Sequence, residues 1–186
     1  NLFYLTSIIE EKKKREKTIT DIKGAYLNAK MNTVVIMKIT GPEVDLFCEL
    51  DPSLKQYVTI IKGKKVLYVQ LDRALYGCVQ SALLWYGLYS TTLKDIGFVL
   101  NPYDLCVANC DIDGKQCTIC WYVDDNKISH ADPAVVTNEM KMISEYCGEL
   151  TRTRGNELNF LGMTIKLDRD NKRVKISMTD QIEEAI

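Results

Sequence analysis

Apolar stretches alternate with polar turns along the 186-residue chain and predict a mixture of helices and strands. Residues 2–17, 81–96 and 133–150 are interpreted as helices. The second is amphipathic and is followed by Gly97, a typical stop signal. The third begins after Asp132, an N-cap residue, with proline in its first turn. The first helix ends in a basic run that we expect to be solvated.

Short segments rich in β-branched and aromatic residues predict strands between these helices. Asp113-Gly114 predicts a hairpin between two of them, and residues 25–31 a helical turn. Residues 41–56 contain two prolines and are interpreted as irregular. The mixed order predicts an α+β fold with helices on one face of a mostly antiparallel sheet. The predicted strands are residues 18–22, 33–40, 58–61, 66–71, 106–110, 116–123, 127–129, 159–167 and 173–178.

Composition and charge exclude several classes of protein. Hydrophobic residues make up 46% of the chain and charged residues 26%, which excludes global disorder. The formal net charge of −1 excludes a uniformly basic nucleic-acid binder, although it allows a local basic patch. No uninterrupted apolar stretch reaches the roughly 18 residues that a membrane span needs.

The seven cysteines are an odd number, and the N-terminal residues do not resemble a signal peptide. Both observations predict reduced thiols in an intracellular compartment. Cys117 and Cys120 have the CxxC spacing of some zinc sites. Residues three apart on a strand point to opposite faces, however, and His130 is the only histidine of the chain. Buried thiols are therefore the favoured interpretation and a zinc site the weaker alternative.

Both ends of the sequence lie within predicted helices. We divide the chain into an N-terminal helix at residues 1–17, a core at residues 18–178, and the start of a further helix at residues 179–186. Asp180 is placed to cap that last helix, with Glu183 three residues later. The expectation is a segment of a longer polypeptide.

Tyr122-Val123-Asp124-Asp125 places two adjacent carboxylates directly after an apolar strand. Alternation puts Trp121 and Val123 on one face, and Tyr122 and Asp124 on the other, open face. A divalent cation would relieve the repulsion between the two acids, and Mg²⁺ prefers one or two carboxylates plus substrate phosphates. The alternative is an ordinary hydrophilic β-turn.

A second acidic site occurs at Asp21, near the end of a predicted strand. Gly24 and Ala25 follow it and allow a ligand to approach the backbone closely. Tyr26 adds a flat aromatic ring beside that backbone. The alternative is a strand-to-helix junction in which Asp21 is a cap.

Four blocks of residues occur in one order from about residue 18 to the end of the chain. Together they resemble the reverse transcriptases of copia-type LTR retrotransposons. The first and third resemble the two catalytic motifs, the second resembles the Leu-Tyr-Gly-Leu-Lys-Gln signature with its following Trp-Tyr, and the fourth resembles the Phe-Leu-Gly segment that leads into the primer grip. The blocks are residues 21–28, 74–81 with 85–86, 122–125 and 159–163.

The resemblance implies a polymerase palm, which is a ferredoxin-like split βαβ sheet, with partial fingers elements that include the helix at residues 1–17. It also implies an RNA-directed DNA polymerase that uses two Mg²⁺ ions, with Mn²⁺ as an alternative. Asp21 and Asp124 would be the principal metal ligands, assisted by the carbonyl of Ile22. Asp125 would lie beside them as a further catalytic acid.

The same resemblance implies roles for residues around the acids. Tyr26 would be the steric gate against a 2′-hydroxyl, or else a core residue. Gln80 would contact the incoming nucleotide, or else be an exposed helix-cap glutamine. Ala25 would line the nucleotide site. The implied primer-binding residues are Tyr122, Phe160, Leu161 and Gly162; the alternative for the last three is an apolar strand with a glycine bulge.

Arg152 or Arg154 occupies the region where the family often has a lysine that protonates the leaving pyrophosphate. An arginine cannot replace that lysine as a proton donor, because the pKa of a guanidinium group is too high. The implied partners are an RNA template, a DNA primer or RNA/DNA hybrid, dNTPs, and the RNase H and integrase domains of a parent polyprotein. The implied location is intracellular, in a cytoplasmic virus-like particle with a nuclear phase. Because upstream fingers and downstream thumb segments are not among these residues, we expect the segment alone to be incomplete and inactive. A non-catalytic RNA-binding module or a decayed palm remains the alternative.

Overall fold

The computed structural model of the chain describes residues 2–168, 171 and 173–184, without the side chains of Asp180 and Glu184. Its helices are α1 (Leu2–Lys12), α2 (Ala25–Asn28), α3 (Pro42–Leu50), α4 (Ser81–Asp95), α5 (Pro133–Cys147) and α6 (Thr179–Glu184). Its strands are β1 (Glu16–Ile22), β2 (Ile36–Thr40), β3 (Thr59–Ile61), β4 (Lys64–Gln70), β5 (Val99–Asn101), β6 (Asp104–Ile112), β7 (Lys115–Tyr122), β8 (Asp125–His130), β9 (Leu150–Arg154), β10 (Glu157–Phe160), β11 (Met163–Asp168) and β12 (Arg173–Ser177).

The central sheet has the strand order β5-β6-β7-β8-β1-β9, and its neighbouring strands are antiparallel. Helix α4 lies between β1 and β7 in sequence, and α5 lies between β8 and β9. These elements form a βαββαβ unit with the strand order β9-β1-β8-β7, which is the split βαβ arrangement. The predicted α+β class, with a mostly antiparallel sheet of ferredoxin-like topology, is therefore confirmed.

The largest core lies between the central sheet and the helices α4 and α5. Trp85 and Tyr89 of α4 are buried there against Ile119 and Ile128 of the sheet. Full burial of each such large side chain contributes about 1.5–3 kcal/mol. This core covers the face of the central sheet that lies opposite the predicted acidic site.

The opposite face of the sheet is covered by α1 and by the small sheet β10-β11-β12. Lys127 Nζ, only 1% exposed, lies 2.9 Å from Glu10 Oε2 and also donates to Ser7 and Thr6 of α1. Phe3 stacks on Phe160 with 5.1 Å between ring centroids. Helices thus cover both faces, and the expectation of helices on one face holds for α4 and α5 but not for α1.

A third sheet, β2-β4-β3, packs against α3. The prediction that residues 41–56 are irregular was wrong, because they contain α3 and a 3₁₀ helix at Pro52–Tyr57. Pro42 occupies the first turn of α3, where the missing N–H has no helical partner to lose. Asp51 caps the 3₁₀ helix by accepting a hydrogen bond from Ser53 N.

The first helix is shorter than predicted and ends at Lys12. The chain reverses at Lys14, which has φ 50°, and Arg15 N then donates to Glu10 O. Arg15 is buried and donates to Thr118 Oγ1, so the basic run is not wholly a solvated helix end.

The predicted strand at residues 159–167 is in fact the hairpin β10–β11. It turns at Leu161-Gly162, both of which have positive φ. At the end of the chain, α6 begins at Thr179. The capping role predicted for Asp180 and residues 185–186 of the predicted final helix lie outside the described residues.

The seven cysteines are free thiols. Cys117 lies in the core under α4 and α5, whereas Cys120 lies 3.6 Å from Thr6 of α1, so the two do point to opposite faces. Among the described helices, none is long and apolar enough to cross a membrane.

Candidate active site

Side chains from four neighbouring strands form a row across one end of the central sheet. Tyr122 is paired with Asp125, Asp125 with Asp21, and Asp21 with Thr151. Directly opposed residues of antiparallel strands point to the same face. The topology therefore brings Asp21 and Asp125, which are remote in sequence, side by side on the face opposite α4 and α5.

Asp124 lies in the two-residue turn Val123-Asp124 that joins β7 to β8. The alternation argument placed Asp124 beside Tyr122 on the open face. In the structure Val123 packs against the core that contains Trp121, as predicted, and the chain turns there, so that Asp125 takes the strand position opposite Tyr122. Ile22 N donates to Asp124 O at 3.0 Å, which joins the turn to the end of β1.

The turn has a strained backbone that its surroundings stabilise. Val123 has φ 55°, a conformation that β-branched residues rarely adopt. Trp85 Nε1 donates to Val123 O at 2.7 Å, and Asn126 Nδ2 donates to Asp124 O at 2.9 Å. Tyr89 in turn donates to Asn126 Oδ1 at 2.6 Å. Helix α4 therefore fixes the turn through two aromatic donors.

The carboxylates of this site repel one another. Partial burial, followed by the charges of Asp124 and Asp21, raises the pKa of the Asp125 carboxyl. All three acids are half-buried and reachable from solvent. The arrangement stores like charge at the end of the sheet, which a bound cation would neutralise.

Within the described residues, no three or more histidine, cysteine or acidic side chains are grouped closely enough to hold a metal ion. Asp21, Asp124 and Asp125 lie near enough to act on one another's charge, but the three side chains do not form such a group. Mg²⁺ takes one or two carboxylates and completes its shell with water and substrate phosphates. The donor set fits that requirement and does not fit a structural zinc site.

Two tyrosines lie beside the acids. Tyr26 follows Gly24, whose φ of 59° turns the chain from β1 into α2, and its ring centroid lies 4.4 Å from that of Tyr76. Tyr76 Oη donates to Asp124 Oδ2 at 3.3 Å. Sequence reasoning did not single out Tyr76, although it lies within the block at residues 74–81. Ala25, predicted to line the nucleotide site, is fully buried in the core beneath α4 and α5.

Gln80 lies at the N-terminal end of α4. Its Nε2 donates to Thr33 Oγ1 at 3.0 Å, in the segment before β2. Among the described residues, the side-chain amide of Gln80 is therefore bonded to Thr33 and has no hydrogen bond to the three acids.

The predicted primer-binding residues lie in two places. Tyr122 is 62% exposed at the end of the acidic row. Phe160 is buried against Phe3 of α1, and Leu161-Gly162 form the β10–β11 turn. Gly162 has φ 71°, a conformation that residues other than glycine rarely adopt, so the turn favours glycine there.

The two arginines suggested for proton donation lie on the opposite face from Asp21. In β9, Arg152 is paired with Thr20 and Arg154 with Thr18, so both point toward the side of α5. Arg154 accordingly donates to Thr18 Oγ1 and to Thr137 Oγ1 of α5. Neither guanidinium faces the acidic row.

No protein-family model matches the sequence. Solved structures similar to the chain include apo telomerase from Candida tropicalis, at 13% identity and a TM-score of 0.46, covering 93% of this chain and 35% of that one. A form of the same telomerase truncated from its C-terminal domain gives 13% identity and a TM-score of 0.46, covering 94% and 38%. The chain thus spans little more than a third of the telomerase chains that it matches.

Proposed function

We propose that the chain is the palm-containing core of an RNA-directed DNA polymerase of the copia retrotransposon type. The observation that carries the proposal is the pairing of Asp21 with Asp125 across β1 and β8, with Asp124 bonded to Ile22 through the backbone. Two carboxylates from the ends of separate strands, at one end of a sheet, can share a pair of bound cations.

Asp21 and Asp124 would hold two Mg²⁺ or Mn²⁺ ions, with the Ile22 carbonyl and Asp125 assisting. When bound, such ions activate the primer 3′-hydroxyl and stabilise the charge that grows on the α-phosphate as pyrophosphate leaves. The Asp124 turn is preorganised for this role, because Trp85 and Ile22 already hold its backbone.

Tyr26 would select dNTPs, since a ring under the incoming sugar leaves no room for a 2′-hydroxyl. Gln80 would reach the nucleotide only after its amide leaves Thr33. Tyr122 and the turn of Phe160, Leu161 and Gly162 would guide the primer end. The proposed partners are an RNA template, a DNA primer or RNA/DNA hybrid, and dNTPs, together with RNase H and integrase domains in an intracellular particle.

Primer extension by the full-length parent polypeptide, with an RNA template, Mg²⁺ and dNTPs, tests the proposal. Asp124→Asn should abolish synthesis, because it removes a metal ligand and leaves the turn intact. Asp113→Asn, in the neighbouring hairpin turn, is the matched control and should leave synthesis unchanged. Synthesis undiminished by Asp124→Asn would refute the catalytic assignment. RNA binding that persists in EDTA without any synthesis would instead indicate a non-catalytic RNA-binding module.

A further inference from the structure

Tyr76 touches both parts of the candidate site. Its hydroxyl lies 3.3 Å from Asp124 Oδ2, and its ring lies against Tyr26 with an interplanar angle of 41°. It belongs neither to β1 nor to the β7–β8 hairpin, but to the segment between β4 and α4. A third part of the chain therefore reaches the acids and the aromatic ring through one side chain.

The hydroxyl of Tyr76 is a permanent donor at neutral pH. A tyrosine phenol ionises only near pH 10, about three units above neutral. A protonated phenol that donates to one carboxylate oxygen restricts the orientations that the carboxylate can take. The other oxygen of Asp124 stays available for a cation. Partners of this kind orient metal-binding carboxylates in many proteins.

The ring of Tyr76 has a different consequence. Tyr76 is 52% exposed, so one part of its surface faces solvent while another contacts Tyr26. Offset or tilted aromatic pairs at such distances stabilise each other beyond the area they bury. Tyr76 thus restricts the positions that the Tyr26 ring can take.

We propose that Tyr76 is a positioning residue that orients Asp124 through its hydroxyl and holds Tyr26 against the sugar of the incoming nucleotide through its ring. This inference rests on the proposed function and adds a residue to it. It predicts that the two effects separate, because one depends on an oxygen atom and the other on an aromatic ring.

The test uses the full polypeptide that carries this chain, with Tyr76→Phe and Tyr76→Leu. Tyr103→Phe and Tyr103→Leu are matched controls, because Tyr103 is 92% exposed in the turn between β5 and β6. Mn²⁺ binding is measured by electron paramagnetic resonance. Dissociation constants for one dNTP and the matching rNTP are measured with Ca²⁺, which avoids any dependence on turnover.

Tyr76→Phe should weaken Mn²⁺ binding about tenfold and leave the ratio of dNTP to rNTP affinity unchanged. Tyr76→Leu should weaken Mn²⁺ binding by the same factor and also lower that ratio about threefold to tenfold. If Tyr76→Leu does not fold, Tyr76→Met replaces it as the ring-free variant. The Tyr103 variants should match the wild type in both measurements.

Unchanged or tighter Mn²⁺ binding in Tyr76→Phe would overturn the Asp124 part of the inference. An unchanged dNTP to rNTP ratio in the ring-free variant would overturn the Tyr26 part. A wild-type protein that binds neither Mn²⁺ nor a nucleotide would instead refute the proposed function. The two failures are therefore distinguishable.

Discussion

The two hairpins that share β7 have turns of the same length but of different chemistry. The β6–β7 turn is Asp113-Gly114, with φ values of 53° and 71°, which aspartate and glycine adopt readily. The β7–β8 turn is Val123-Asp124, and its φ of 55° falls on a β-branched residue. The residues of the first turn favour its backbone conformation, whereas the valine of the second turn disfavours the conformation that it adopts.

The contacts around the two turns explain how the unfavourable backbone conformation of the second turn is maintained. At the first turn, Gly114 N donates to Asp111 Oδ1, a local bond. At the second, Trp85 of α4, Ile22 of β1 and Tyr76 all bond to residues of the turn. Backbone strain that the surrounding structure enforces is typical of functional sites. The comparison indicates that tertiary structure, and not local sequence, fixes the position of Asp124.

The largest expected effect is on catalysis, from a substitution at the strand residue that directly follows the strained turn. Asp125→Asn should lower kcat/KM for nucleotide incorporation by about a hundredfold, or roughly 2.7 kcal/mol, because the site loses a charge that supports the cations. The same variant should be at least as stable as the wild type in urea, since a repulsive charge next to Asp21 is gone. Loss of stability together with activity would indicate a structural role for Asp125.

A smaller effect is expected from the anchor of that turn. Trp85→Phe removes the Nε1 donor to Val123 O and leaves the carbonyl without this bond. Urea unfolding should show a loss of about 1–3 kcal/mol. Tyr86→Phe on the same helix is a suitable control. An equal loss in both variants would show that the hydrogen bond to the turn is not the cause.

Exchanging the turn residues tests the comparison itself. Gly114→Val should destabilise the fold by about 1–2 kcal/mol, because it places a β-branched residue at positive φ. Val123→Gly should change stability by less than that, since released strain offsets the lost packing of the valine. If Val123→Gly is the more damaging of the two in thermal unfolding, then the valine conformation is not strained.

The smallest effect concerns the far end of β7 and β8, away from Asp124. Glu139 of α5 is buried near His130. Oε2 of the Glu139 carboxylate has no hydrogen-bond partner among the described residues. Burial raises the pKa of this carboxyl above its ordinary value of 4.5. The folded state therefore holds the proton more tightly. The free energy of unfolding should therefore fall as the pH rises from 4.5 through the pKa that Glu139 has in the folded protein. Glu139→Gln should remove this part of the pH dependence and be more stable than the wild type at pH 8. Parallel stability curves for the two proteins would contradict the prediction.

Local patterns predicted the elements whose sequence agrees with their structure. The Asp113-Gly114 hairpin and the start of α5 at Asp132-Pro133 are examples, and the side chain of Asp132 does accept from Ala134 N. Strand β9 was missed because Leu150–Arg154 alternates threonine with arginine, and only its pairing with β1 makes it a strand.

For the candidate site, a sequence pattern can suggest that Asp21 and Asp124 are acids of one site. It cannot show that Asp125 is the residue opposite Asp21, because that register depends on the turn.

The central claim is that Asp21 and the Asp124-Asp125 pair share divalent cations, and Mn²⁺ binding to single and double variants tests it most directly. Asp21→Asn and Asp124→Asn should each weaken Mn²⁺ binding strongly, and the double variant should lose little more than either alone. Asp113→Asn should bind as the wild type does. Mn²⁺ affinity that is unchanged in either single variant, or losses that add fully as for two separate sites, would contradict the claim.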